Sequence, residues 1–213
     1  MKSIRFFALS LLAAVELSRA AETAVAPCCA PAPAAKPACC SEEKVTAGKP
    51  LTDRSIYQLD ASWTNDAGQA STLASLRGRP VIVAMFFAQC EYACPVLVQD
   101  IQRVRAALPE AERGKVRVVL VSFDTERDTS AALRAFRERM TLDSQWTLLR
   151  GEAAAVQELA MLLGVKFKRD AKGQYAHSNL LTVLNPEGEI VHRRNGLMGD
   201  ISDAAKAVAL AAQ

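Results

Sequence analysis

The chain has 213 residues, half of them hydrophobic and 23% charged, with a formal net charge of +3. That is room for one ordinary domain with a real core, plus appendages. Removing residues 1–20 takes away Lys2, Arg5, Arg19 and Glu16 and leaves a net of +1, which speaks against nucleic acid or an anionic surface as partner.

Residues 1–20 read as a secretory signal. Lys2 and Arg5 give the positive start, Phe6 to Val15 the apolar stretch, and Ser18-Arg19-Ala20 a small-x-small cleavage site. The apolar stretch is too short to span a bilayer, and Glu16 ends it. The expected product is exported, periplasmic or equivalent, and soluble after cleavage. An uncleaved N-terminus acting as a membrane anchor is the alternative. Residues 21–52 are rich in Ala and Pro without apolar periodicity, the composition of a flexible linker. Two vicinal pairs punctuate it, Cys28-Cys29 and Cys39-Cys40, which could form an accessory soft-metal or redox site or a cross-linkable leader.

From residue 53 to 213 strands and helices alternate. Ser55 to Leu59 predicts a short strand, Asn65 to Gly68 a turn, and Val81 to Phe87 a buried strand. A helix follows from about Pro95, then a second buried strand at Val116 to Phe123 and a helix from Thr129 to Met140, capped by Asp128 or Thr129. Trp146 to Leu149, Glu152 to Leu163 and Asn179 to Leu184 predict strand, helix and strand. Asn185-Pro186-Glu187-Gly188 turns into a last strand, and Asp200 to Ala212 closes as a helix. The result is an α/β fold, a central sheet covered on both faces.

Ligand crevices in such sheets lie beyond the carboxyl ends of the parallel strands. Cys90 and Cys94 follow the first buried strand and Asp124 the second, so they share an edge. His177 precedes Asn179 to Leu184; if that strand is antiparallel, His177 reaches the same edge. Two thiolates and an imidazole suit Cu(I). Two cysteines four apart in a helical first turn also fall within disulfide reach, and the helix start acidifies a thiol there. Taken alone, His177 reads as structural or surface, as His192 does, and Trp63 and Trp146 read as core or edge packing. Asp124 reads equally as ligand support or as a loop constraint, and Arg127 and Asp128 as a salt-bridged loop.

The segments FFAQCEYACP, SFDTERDTSAALRAF and HSNLLTVLNPEGEIV together resemble the Sco/SenC family, thioredoxin-fold copper proteins that serve assembly of the binuclear copper centre of cytochrome c oxidase. The resemblance spans residues 53–213. It implies a thioredoxin-like mixed sheet flanked by helices, copper as Cu(I) or Cu(II) held by Cys90, Cys94 and His177, and Asp124 matched to the Asp of an Asp-Pro-x-Arg-Asp-Thr segment. Three positions depart from the family's habit: Glu91 and Thr125 stand where Pro is usual, and Ala176 where Asp is frequent. The implied function is an exported, monomeric copper chaperone for an apo-oxidase subunit or another cuproprotein. The alternative is a thiol–disulfide oxidoreductase, coupled to a thiol reductant, in which Cys90 attacks and Cys94 resolves. A peroxidase of the peroxiredoxin type is the weakest reading, because the Pro-x-x-x-Thr-x-x-Cys approach is absent.

Overall fold

The structure, a computed structural model, describes residues 50–171 and 173–213. The expected signal and nearly all of the linker, with Cys28, Cys29, Cys39 and Cys40, lie outside the described residues. In chain order the elements are β1 (Trp63–Asn65), β2 (Ala70–Ser71), β3 (Val81–Phe86), α1 (Ala93–Ala106), the single turn α2 (Glu110–Arg113), β4 (Arg117–Ser122) and α3 (Ser130–Arg139). There follow β5 (Trp146–Gly151), α4 (Ala153–Leu163), β6 (Phe167–Arg169), β7 (Tyr175–His177), β8 (Leu180–Leu184), β9 (Ile190–Asn195) and α5 (Ser202–Ala211).

Seven strands form one mixed sheet in the order β2-β1-β5-β4-β3-β8-β9. The central β3, β4 and β5 are parallel. β8 runs antiparallel to β3, from Ala84 opposite Leu181 to Val81 opposite Leu184. The start of β8 therefore lies at the edge where β3 and β4 end, as the antiparallel option required. All six residues of β3 are buried, as are the last five of β4. Runs of Val, Ile and Leu without polar alternation are the pattern of strands covered on both faces.

Thr129 rather than Asp128 caps α3, its hydroxyl accepting the Ala132 N–H at 3.2 Å. Both tryptophans are core residues, 1% and 3% exposed. One expected strand is absent. Ser55 makes a single antiparallel bridge to Glu189, and Ile56–Gln58 then close into a 3-10 turn. The Ser55 hydroxyl accepts the Tyr57 N–H at 3.2 Å, a local bond that competes with strand pairing. The turn lays the Tyr57 ring against Gly188, where a Cβ would overlap it; Gly188 also has φ +86°, so glycine serves twice there.

A second, two-stranded sheet, β6–β7, makes no ladder with the first. It pairs Phe167 with His177 and Arg169 with Tyr175.

The helix that carries Cys94 is fixed at its middle by a buried carboxylate. Asp100, fully buried, accepts Arg194 Nη2 at 2.7 Å and the Met198 N–H at 2.8 Å on one oxygen, and Arg103 Nη1 at 3.0 Å on the other. α1 is thereby tied to β9 and to the loop after it. Asp100→Ala would leave the buried Arg194 without its anion, and breaking such a pair costs roughly 3–5 kcal/mol. The expected outcome is a large drop in the midpoint of chemical unfolding followed by circular dichroism; a change within about 0.5 kcal/mol, the scale for substitutions outside such networks, would show that the network carries no stability.

Candidate metal centre

β3 delivers the chain to the site edge, and a turn closed by the Cys90 N–H to Phe87 C=O bond at 3.1 Å redirects it into α1. Tyr92, the N-cap residue, makes no side-chain cap. The sulfur of Cys90 does part of that work, accepting the Cys94 N–H at 3.2 Å. Pro95 falls in the first helical turn, where its missing N–H costs nothing. Both thiols are free, Cys90 8% and Cys94 1% exposed. Cys90 opens onto a cleft of about 730 Å³ bounded by Gln89, Glu91, Pro95, Arg139, Met140 and Gln174.

The two sulfurs share one proton. Cys94 donates its S–H to Cys90, the largest of the influences that lower the Cys90 thiol to about 4. Burial opposes that shift, while the His177 ring and the backbone N–H groups of Cys94 and Tyr92 support it. Cys94 moves the other way, above the ordinary thiol range, because it holds the shared proton, is buried, and faces the Cys90 charge. The pair titrates as a unit, first the Cys90 site and then, far higher, the Cys94 site.

His177 ends β7 and reaches the sulfurs. One donor atom from each of Cys90, Cys94 and His177 lies within 4.8 Å of the others. The ring is half-buried against two phenylalanines, edge-on to Phe87 at 6.0 Å and tilted to Phe123 at 5.1 Å. Its Nδ1 sits 3.3 Å from the Ser178 carbonyl oxygen. A carbonyl only accepts, so in the neutral ring that contact places the proton on Nδ1 and leaves the Nε2 lone pair for a ligand bond. A thiolate, a second thiol that loses its proton on metallation, and a neutral imidazole make a donor set that fits a soft ion.

Asp124 is not among these three. Fully buried, it accepts from Arg127, at Nε 2.5 Å from one carboxylate oxygen and backbone N–H 3.2 Å from the other. The carboxylate that touches the cysteine loop is Asp128, which takes no part in the ion pair expected of it. Its Oδ2 accepts the Ala88 N–H at 2.8 Å and the Ser122 hydroxyl at 2.5 Å. Burial raises its pKa above the ordinary carboxylate value, despite those two donors. Its position immediately before a helix suggested a cap, and nothing in the residue pattern separates a cap from a buried strut.

The family model described as SCO1/SenC matches residues 51–213. The chain belongs to the SCO1/SenC family. A Stutzerimonas stutzeri relative whose name refers to copper binding is 28% identical over 142 residues, covering 65% of this chain and 68% of its own. The structure of Arabidopsis thaliana ScoI with copper bound superposes with a TM-score of 0.63 at 20% identity, over 71% of this chain and 94% of that one. BsSco, described as a Sco-family cytochrome c oxidase assembly protein with a disulfide switch, gives 0.62 at 24% identity, over 71% and 90%. These likenesses identify the sheet and its helices as the thioredoxin-like Sco fold. Within this member of the SCO1/SenC family, two of the three departures, Glu91 and Ala176 of β7, are exposed, and the third, Thr125, is half-buried.

The shared proton has a direct readout. In the reduced, metal-free protein, iodoacetamide should alkylate Cys90 at pH 6, and the rate should fall only as the pH drops towards about 4, where the thiolate is protonated. Cys94→Ala removes the largest lowering influence, so the inflection should move up towards the free-thiol value of about 8.5. A wild-type profile that already inflects near 8 would show that Cys90 is not the thiolate of the pair.

Proposed function

We propose that this chain is an exported copper chaperone that binds copper through Cys90, Cys94 and His177 and delivers it to a cuproprotein, in the first instance the binuclear copper site of cytochrome c oxidase. The observation that carries the reading is the convergence of two sulfurs and one imidazole within 4.8 Å, in a SCO1/SenC chain whose structural neighbours include copper-bound Sco proteins. Cys90, already a thiolate, is the natural first ligand. Cys94 follows by losing its proton, and His177 Nε2 completes a trigonal set. Cu(I) would leave by stepwise exchange, client thiolates replacing these ligands one at a time, with no net electron transfer. Export rests on residues 1–20 and 21–52. Among the described residues no helix is long and apolar enough to cross a membrane.

A second reading is supported by the Cys94 S–H to Cys90 contact, which sets the sulfurs for disulfide chemistry. The Cys90 thiolate would attack a client disulfide and release one client thiolate. Cys94, deprotonated, would then attack Cys90 of the mixed disulfide, leaving a Cys90–Cys94 disulfide and a reduced client. A thiol reductant would restore the pair.

His177 separates the two. On a background lacking the tail cysteines, His177→Ala should lose about 100-fold or more in copper affinity, measured by chelator competition, since even groups behind the ligands cost 10–100-fold. The same variant should reduce a model disulfide at close to the wild-type rate, and Cys90→Ser or Cys94→Ser should abolish both activities. Copper affinity unchanged in His177→Ala would remove the imidazole from the site and leave the oxidoreductase as the better reading.

A further inference from the structure

The sulfurs and the imidazole are held by different kinds of structure. Cys90 and Cys94 follow a fully buried strand of the large sheet, whereas His177 ends β7 in a separate two-stranded sheet with no ladder to it. Backbone pairing therefore does not fix the distance from His177 to the cysteines. The chain from His177 to β8 passes only Ser178 and Asn179, which limits how far the hairpin travels but not how it is angled. Aromatic packing adds contact without direction: Phe123 stacks on Phe167 at 5.0 Å and meets Tyr175 at 5.0 Å, and Phe87 meets Tyr175 at 5.3 Å.

Arg127 supplies the direction. Its Nε is 2.5 Å from the Asp124 carboxylate, and its Nη2 donates to the Gly173 carbonyl at 2.7 Å, in the turn between β6 and β7. Its guanidinium carbon lies 5.8 Å from the centre of the Tyr175 ring, two residues before His177 on the same strand. Asp124 is fully buried and also holds the Arg127 backbone N–H, so the anchor end is rigid. Gly173, at φ +78°, turns its carbonyl to the guanidinium, and a Cβ there would stand 3.5 Å from Arg127 Nη1. An outer ion pair, Glu126 with Arg169, bridges the same two segments, but it is exposed and adds little.

We propose that Arg127 is a positioning residue for His177. By forking between Asp124 and the Gly173 carbonyl, it sets the angle of the β6–β7 hairpin and so the approach of the imidazole to the two sulfurs. Only a planar fork spans both partners. Lysine keeps the charge beside Asp124 but offers one point of attachment, so Arg127→Lys does not rescue. The inference rests on the three-ligand reading for its effect on copper, but its structural half stands without metal.

The test uses Arg127→Lys and Arg127→Gln, each also combined with His177→Ala, in the full chain. In metal-free protein, amide hydrogen exchange in residues 167–177 should quicken roughly tenfold or more while β3 and β4 stay protected, the signature of local rather than global loosening. The His177 ring signals should move as the ring leaves Phe87 and Phe123. With copper added, both single variants should bind roughly 10–100-fold more weakly, and the thiolate-to-Cu(II) absorption should change shape. In the His177→Ala background the Arg127 substitutions should add nothing, because the effect passes through the imidazole. Unchanged exchange and ring signals would overturn the proposal, as would an affinity loss that persists in full without His177. If instead His177→Ala alone leaves copper affinity intact, the ligand assignment fails while the metal-free exchange and ring signals still decide the role of Arg127.

Discussion

The Asp128 carboxylate ties the ends of the two central strands together, and the site is built on that tie. One oxygen takes the Ala88 N–H, two residues before Cys90, and the Ser122 hydroxyl at the end of β4. Without it the turn that aims Cys90 at the start of α1 would keep the Phe87 carbonyl bond and the Arg139 hydrogen bond to the Ala88 carbonyl but lose its link to the end of β4. The tie is expensive. Asp128 is fully buried, no cation pairs with it among the described residues, and its other oxygen has no hydrogen-bond partner there. An unsatisfied buried acceptor costs about 1–3 kcal/mol. A carboxylate retained on those terms at the rim of a reactive pair is explained by the geometry it enforces.

That geometry governs the sulfur chemistry. Cys90 lies just outside the helix and Cys94 within its first turn, so one sulfur faces free backbone N–H groups while the other is enclosed by the core. The same side chain is thus shifted in opposite directions four residues apart, towards the thiolate at Cys90 and towards the thiol at Cys94. A pair holding one proton between two sulfurs is ready for either fate. A soft ion displaces the proton, or an attacked disulfide does. Chaperone and oxidoreductase therefore draw on one electrostatic arrangement, and what tells them apart lies outside the cysteines, in the imidazole.

Most of the fold was legible because burial leaves a strong trace in composition. Val81 to Phe86 and Arg117 to Ser122 can hardly be other than covered strands, and Thr129 capped its helix as its hydroxyl dictates. The convergence of Cys90, Cys94 and His177 was legible through motif order, with His177 dependent on the direction of β8. The β6–β7 hairpin left no such trace. Its strands are three residues each, and Lys168, Arg169 and Ala176 are exposed, so neither periodicity nor hydrophobicity marks them. Ser55 to Leu59 misled in the opposite sense, since β-forming residues closed into a 3-10 turn under a local serine bond. Asp100 and Asp128 were invisible as buried struts because a carboxylate in a helix or before one is usually a solvated or capping group.

The turn after β4 joins what would otherwise be two separate halves. Within five residues, Asp128 holds the cysteine loop from one side and Arg127, braced by Asp124, holds the histidine hairpin from the other. Two of the three donors are thereby fixed to the large sheet and buried, while the third stands half-exposed on an element attached by side chains, a three-residue link from α4 and a two-residue link to β8. A resident cofactor would gain from three equally rigid ligands. Cargo sets a different requirement, since the ion must be held and then surrendered by ligand exchange. An imidazole on a small hairpin can yield its place at the cost of a few side-chain contacts, whereas moving either sulfur would disturb the core.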